Sequence, residues 1–217
     1  MPTKHGGRVP VRSRHHNSPR SPRSVPSGAR QRIELVTDDL FYRYGIRSVG
    51  IDRIIAESDV AKMTFYKHFP SKANLIATYL VRQKERWSRV LETALTLEGS
   101  ALDRILAIFD AVNLLCRTPS YQGCPFIKAM AEFGRDHDEV QIQAHISSYF
   151  RETESKISGL IAQMDVPKEL AQVIVSLIFG AIVVTHSGGP TDTVQINRAA
   201  ARLLLSTHLK RGDPALQ

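Results

Sequence analysis

A chain of 217 residues with 42% apolar side chains is long enough for one sizeable core or two small ones and has the composition of an ordinary globular protein. Its two cysteines, Cys116 and Cys124, are too few for a disulfide framework. Its longest apolar run, Val173 to Val184 with Ser176 inside it, is too short to span a bilayer, so a disulfide-stapled domain and a membrane-spanning protein are both excluded.

The net charge of +8 and a sequence pI near 9.7 favour an anionic partner such as nucleic acid, although charge alone does not separate that from an anionic surface. Most of the excess lies at the start of the chain. Lys4, Arg8, Arg12, Arg14, Arg20 and Arg23 fall within residues 1–28, where there is no acid, so the remainder is close to neutral. This segment is rich in Arg, Ser, Pro and Gly and has almost no large apolar side chains, so it cannot bury enough surface to offset the entropy of ordering. A disordered basic arm is expected over 1–28, with no apolar run after it to make a secretory signal. Two readings of the arm stand: it follows DNA phosphates or enters a minor groove, or it is a solvated extension.

From Ala29, Ile33, Val36, Leu40, Phe41 and Tyr44 recur on one helix face, and Gly45 follows where a helix commonly ends. A short second helix is predicted from about residue 50 to 57, with Ile51, Ile54 and Ile55 on one side. Ser58 and Asp59 make the turn. A third short helix runs from Ala61 to about His68, with Phe65 and Phe69 apolar. Phe69 and Pro70 end it, because the residue before proline is pushed out of the helical region. Two short amphipathic helices joined by a tight turn make a helix-turn-helix, whose second helix enters the major groove. The outward side chains there are Lys62, Met63, Thr64, Tyr66, Lys67 and His68; all but Met63 can donate a hydrogen bond, and none is acidic. Ser71 is placed to cap a fourth helix over 71–97.

The run Thr64, Phe65, Tyr66, Lys67, His68, Phe69, Pro70, Ser71, Lys72, following a helix, a short helix and a turn, resembles the DNA-binding domain of the TetR family of bacterial transcriptional regulators. The resemblance covers Ile33 to Leu80. It implies an all-α protein: an N-terminal helix-turn-helix domain of three helices at 29–74, and a helical effector-binding and dimerisation domain at 75–210, followed by a tail at 211–217. By position it implies that Lys62 and Thr64 contact bases or adjacent phosphates and that Tyr66, His68 and Lys72 contact the backbone. Met63 stands where the family often has glycine or proline, and an apolar contact with a thymine methyl is open to it. The chain departs from the family at Gly50, Asp59 and Ala61, where a capping Ser or Thr, a turn glycine and a second capping Ser or Thr are usual.

Further helices are predicted over 102–116, 125–134, 140–164, 168–186 and 191–209, which makes about nine in all, with no strand pattern. The helix at 168–186 is apolar on nearly all sides, so one face needs a covering beyond its own subunit. A homodimer through the helices at 168–186 and 191–209 supplies it; a fully internal core helix is the alternative. The family resemblance places an effector pocket among the helices carrying Trp87, Phe109, Cys116, Phe126, Met130, Phe133 and Phe150, residues that serve equally as plain core. His137, His145 and His186 have no partner set with metal-ligand spacing, and no nucleophile-base pair or phosphate-cradling loop is present. Neither metal, cofactor nor catalysis is expected. The function expected is a cytoplasmic, nucleoid-associated homodimer that binds a palindromic double-stranded operator, in all expectation as a repressor, and is released by a small, mostly apolar effector. The alternative is a non-specific binder of DNA or anionic surfaces acting through the Arg-rich arm.

Overall fold

A computed structural model describes residues 28–134, 139–190 and 192–211; the expected arm up to residue 27, His137 and the tail at 212–217 lie outside the described residues. Within them the chain is all-α, with nine helices: α1 (Ala29–Tyr44), α2 (Ile51–Ser58), α3 (Lys62–His68), α4 (Lys72–Leu95), α5 (Ala101–Cys116), α6 (Pro125–Phe133), α7 (Val140–Ile161), α8 (Leu170–His186) and α9 (Thr193–Arg211). The expected boundaries hold to within a few residues, α7 being shorter at its C-terminus than its periodicity predicted. The local chemistry of the ends is visible. The Ser71 hydroxyl accepts from the Asn74 backbone N–H at 3.1 Å, Ser100 and Asp103 form a reciprocal capping box, and Pro125 opens α6 where a missing N–H costs nothing.

Helix α1 packs on α2, α3 and α4, and the core of this unit is Ile33, Leu40, Phe41, Ile54, Phe65 and Phe69, all at most 1% exposed. The remaining helices pack α4 on α5 and α7, α7 on α8, and α5 and α8 on α9. The α4–α7 seam is polar as well as apolar: the Trp87 indole N–H donates to the buried Thr153 hydroxyl at 2.9 Å, and Lys84 pairs with Glu152 at 3.1 Å.

Helix α6 holds the first unit against the rest. Glu132 accepts from the backbone N–H groups of Ile46 at 2.9 Å and Arg47 at 2.6 Å, and the Lys128 ammonium donates to the Tyr42 carbonyl at 2.6 Å. Glu132 and Lys128 are four residues apart, so both reach from one face of α6 to the end of α1 and the turn that follows. Gly45 makes that approach possible. Its φ of +88° belongs to glycine, and a Cβ there would stand 2.9 Å from the Glu132 carboxylate oxygen. Gly45→Ala is therefore expected to destabilise the fold by about 1–3 kcal/mol, read as a lowered urea midpoint with unchanged slope. Gly28→Ala, which meets nothing within 4 Å, should shift the midpoint far less.

Candidate DNA-binding surface and core cavity

The turn between α2 and α3 is built by Asp59, which sits in the left-handed region at φ 50° and ψ 55°. It is the only non-glycine residue with positive φ among those described. Asp tolerates this conformation because its short polar side chain makes it less costly than for most residues. Arg32 of α1 steadies the turn from behind, its Nε donating to the Ser58 carbonyl at 3.2 Å and its Nη2 to the Asp59 carbonyl at 3.3 Å. The Ser58 hydroxyl turns inward and donates to the Ile54 carbonyl at 2.6 Å. Neither Gly50 before α2 nor Ala61 before α3 supplies a side-chain cap to the first amides of these short helices.

Burial of Phe65 and Phe69 fixes the roll of α3. With both rings in the core, Lys62, Met63, Tyr66 and Lys67 face solvent, and Thr64 and His68 sit at the flanks, half-buried. Met63 is 82% exposed. Tyr66, 38% exposed, stands edge-on to Phe65 at 5.4 Å between ring centroids. Lys62 reaches only Asp52, at 3.5 Å and in full solvent, a pair worth little. Lys72, at the start of α4, donates to the Arg47 carbonyl at 3.3 Å, and partial burial lowers its ammonium pKa. All seven residues expected to meet DNA thus lie on the outer side of this unit or its edge. Arg47, Arg53 and Tyr44 flank the same unit, with the Arg53 guanidinium over the Tyr44 ring at 4.3 Å; the sequence reading passed over both arginines because no periodicity marks an exposed cation.

The second feature is a cavity of about 550 Å³, in the range of small-molecule sites. Its walls come from α1, α4, the end of α5, the loop 118–124, the start of α6, and single residues of α7 and α8. Of the seven residues expected around an effector, Trp87, Cys116 and Phe126 line it. Phe109 is fully buried in the core, and Phe150 packs against Phe179 at 5.0 Å. Met130 is 47% exposed, and Phe133 lies under the Arg47 guanidinium at 4.9 Å; these four stand off the cavity because they occupy other faces of α5, α6 and α7. What periodicity could not find is the wall supplied by α1 through Leu35, Asp38 and Tyr42, since helix spacing does not say which helix crosses which. Tyr149 stacks on Phe126 at 3.8 Å and 6°. Burial pushes both thiols above their ordinary pKa, opposed at Cys116 by a hydrogen bond to Tyr121 and at Cys124 by one to Tyr149 and by backbone amides. Neither cysteine has the lowered pKa of a reactive thiolate.

Residues 36–79, which span the end of α1 through the first third of α4, match the model of bacterial regulatory proteins of the tetR family. The match covers the helix-turn-helix unit alone. The chain is 28% identical over 105 residues to the HTH-type transcriptional repressor NemR of Escherichia coli (strain K12), covering 48% of this chain and 53% of NemR. It thus spans about half the length of that curated relative. The fold of a TetR-family transcriptional regulator from Streptomyces coelicolor matches with a TM-score of 0.72 at 24% identity, over 84% of this chain and 95% of that one. The reduced form of E. coli NemR matches with a TM-score of 0.71 at 20% identity, over 82% and 98%. At these identities the likeness is one of fold, and it extends well past residues 36–79 into α5–α9. Among the described residues no helix is long and apolar enough to cross a membrane, and no group of three or more His, Cys, Asp or Glu could hold a metal ion.

The two faces of α3 separate a buried side, which holds the fold, from an exposed one. Phe65→Ala should cost about 3–5 kcal/mol of stability. Met63→Ala should stay within about 0.5 kcal/mol of the parent, as for an exposed position. Chemical denaturation of both variants checks this.

Proposed function

We propose that the chain is a homodimeric, sequence-specific transcriptional regulator, acting as a repressor at a palindromic operator and released by a small, mostly apolar effector. Residues 29–74 form the DNA-binding unit in this reading, and 75–210 form the effector-binding and dimerisation unit. The protein works in the cytoplasm, at the nucleoid, and no catalytic step is involved. The observation that carries the reading is the outward, acid-free face of α3, held at the end of a turn whose conformation belongs to a helix-turn-helix. Lys62, Met63 and Thr64 would read base edges, Lys67 would reach phosphate or base, and Tyr66, His68 and Lys72 would position the unit on the backbone.

The dimer reading is supported by what α8 and α9 leave uncovered. Helix α8 buries Ile174, Ile178 and Ile182 within the subunit, while Val173, Val183 and Val184 are exposed on its other side, as are Ile196 and Leu203 of α9, the helix that packs on it. A helix that is apolar on both sides needs a second partner, and an isologous interface with a second copy of the same pair gives a four-helix contact. Two-fold symmetry then sets the two copies of α3 about 34 Å apart, one turn of the duplex. Effector binding alters that spacing through α6, whose Lys128 and Glu132 grip the end of α1 directly.

Electrophoretic shift against fragments flanking the protein's own gene should give sequence-selective binding that weakens steeply with salt. Tyr66→Phe and Lys72→Ala should lower affinity for every sequence, while Lys62→Ala and Thr64→Ala should change which sequence is preferred; binding indifferent to sequence in the parent protein would overturn the reading. Leu203→Glu should convert a dimer to a folded monomer in sedimentation analysis and abolish tight operator binding, because each half-site alone loses the linked second contact.

A further inference from the structure

The polar groups around the cavity are unequally committed. Asp38 is 7% exposed, and its carboxylate accepts from Arg82 Nη2 at 2.9 Å, Arg82 Nε at 3.3 Å and Arg86 Nη2 at 2.6 Å, with Gln83 at 3.5 Å on its other oxygen. Asp39 is paired with Arg43 at 2.9 Å. The Tyr42 hydroxyl donates to the Gly123 carbonyl at 3.1 Å and accepts from the Gln122 N–H at 2.9 Å. The Tyr149 hydroxyl is shared with the Cys124 thiol at 3.5 Å, and the Tyr121 hydroxyl with Cys116. Both acids and all three phenols therefore have partners already.

Arg86 differs. Its side chain is about half exposed, with relative exposure of 47%, and of its donors only Nη2 makes a close bond. Nη1 meets Gln83 Oε1 at 3.5 Å, and Nε has no hydrogen bond among the described residues. The guanidinium borders the cavity, and one residue further along α4 Trp87 begins an apolar wall that continues through Val112, Phe126 and Tyr149. Asp38 does not depend on Arg86 alone: Arg82, itself held by Glu34 at 3.0 Å, stays on the same carboxylate oxygen. An arriving anion can therefore take Arg86 without leaving a buried carboxylate bare, which would otherwise be prohibitive.

We propose that this cavity takes an amphipathic organic carboxylate with a planar aromatic or apolar body, and that Arg86 is its anchor, turning its fork from Asp38 to the ligand while the body lies against Trp87 and Phe126. The inference rests on the reading of the chain as an effector-released regulator and adds the ligand's charge and its binding residue. A planar fork meeting a carboxylate through two parallel bonds is the strong form of this pairing. The consequence is mechanical. Arg86 on α4 and Asp38 on α1 are joined across the seam between the DNA-binding unit and the rest, and a ligand that claims Arg86 undoes one of the bonds holding α1 to α4.

The test is calorimetric titration of the full-length protein with 1-naphthoate and with its neutral isostere 1-naphthamide. Naphthoate should bind at least about ten-fold more tightly, the equivalent of one charge-assisted pair. Arg86→Met, which keeps the aliphatic stem, should erase the difference and leave naphthamide affinity unchanged, Arg86→Lys should restore part of it, and Arg43→Met should preserve it. Equal affinities in the parent protein, a difference that persists in Arg86→Met, or no binding of either compound at millimolar concentration would overturn the inference. Each variant's melting curve identifies any that fails to fold, and Arg86→Lys then carries the test, an undiminished preference counting against the anchor. Naphthoate that binds through Arg86 but does not weaken operator binding would leave the site standing and remove the effector role.

Discussion

The burial of two phenylalanines decides what this molecule can present to a partner. Phe65 and Phe69 lie four residues apart, and once both rings enter the core beneath α1 the roll of α3 has no freedom left. The side chains between and beside them must then face out, and those side chains are Lys62, Met63, Tyr66 and Lys67. A hydrophobic constraint thus creates a polar surface. The Arg30 guanidinium over the Phe69 ring at 4.9 Å and the Arg32 bonds to the turn carbonyls hold the same geometry from the α1 side.

Beside the apolar packing of Phe41 edge-on to Tyr79 at 5.3 Å, the seam between the first unit and the remaining helices carries a short, directional polar set of contacts. That set consists of backbone groups of residues 42–47 held by the side chains of α6, the Tyr42 hydroxyl bridging Gln122 and Gly123, and Asp38 joined to Arg82 and Arg86 of α4. Such contacts are set by distance and angle, so a small displacement of α6 or α4 breaks them outright, whereas an apolar seam would slide. The cavity opens onto this seam, and α1 forms part of its wall. In the proposed regulator, therefore, ligand and DNA-binding unit share residues, and coupling needs no long relay.

Helices α8 and α9 illustrate the opposite case, in which apolar side chains remain outside. Gly180 and Ser176 on the exposed side of α8 are small and leave the backbone approachable, while the valines around them keep the strip apolar. Val173, Val183 and Val184 stay 40–45% exposed, so this strip lies outside the core of its own subunit. The proposed dimer follows from that residue of unburied surface.

Element identity was legible in the sequence because it is local. Helix spacing, the Ser71 cap, Pro125 and Gly45 each act within a turn of the residue concerned, and they marked the helices to within a few positions. The outward face of α3 was legible for the same reason: a seven-residue helix with its apolar side known has its polar side known. The cavity was not. Only Trp87, Cys116 and Phe126 of the expected pocket residues line it, and the wall from α1, with the half-exposed guanidinium of Arg86 reaching it from α4, appears only when helices far apart in the chain cross. Which aromatic ring is core and which is wall is set by crossing angles and close packing between elements, and these are properties of the folded whole that no single stretch of the sequence encodes.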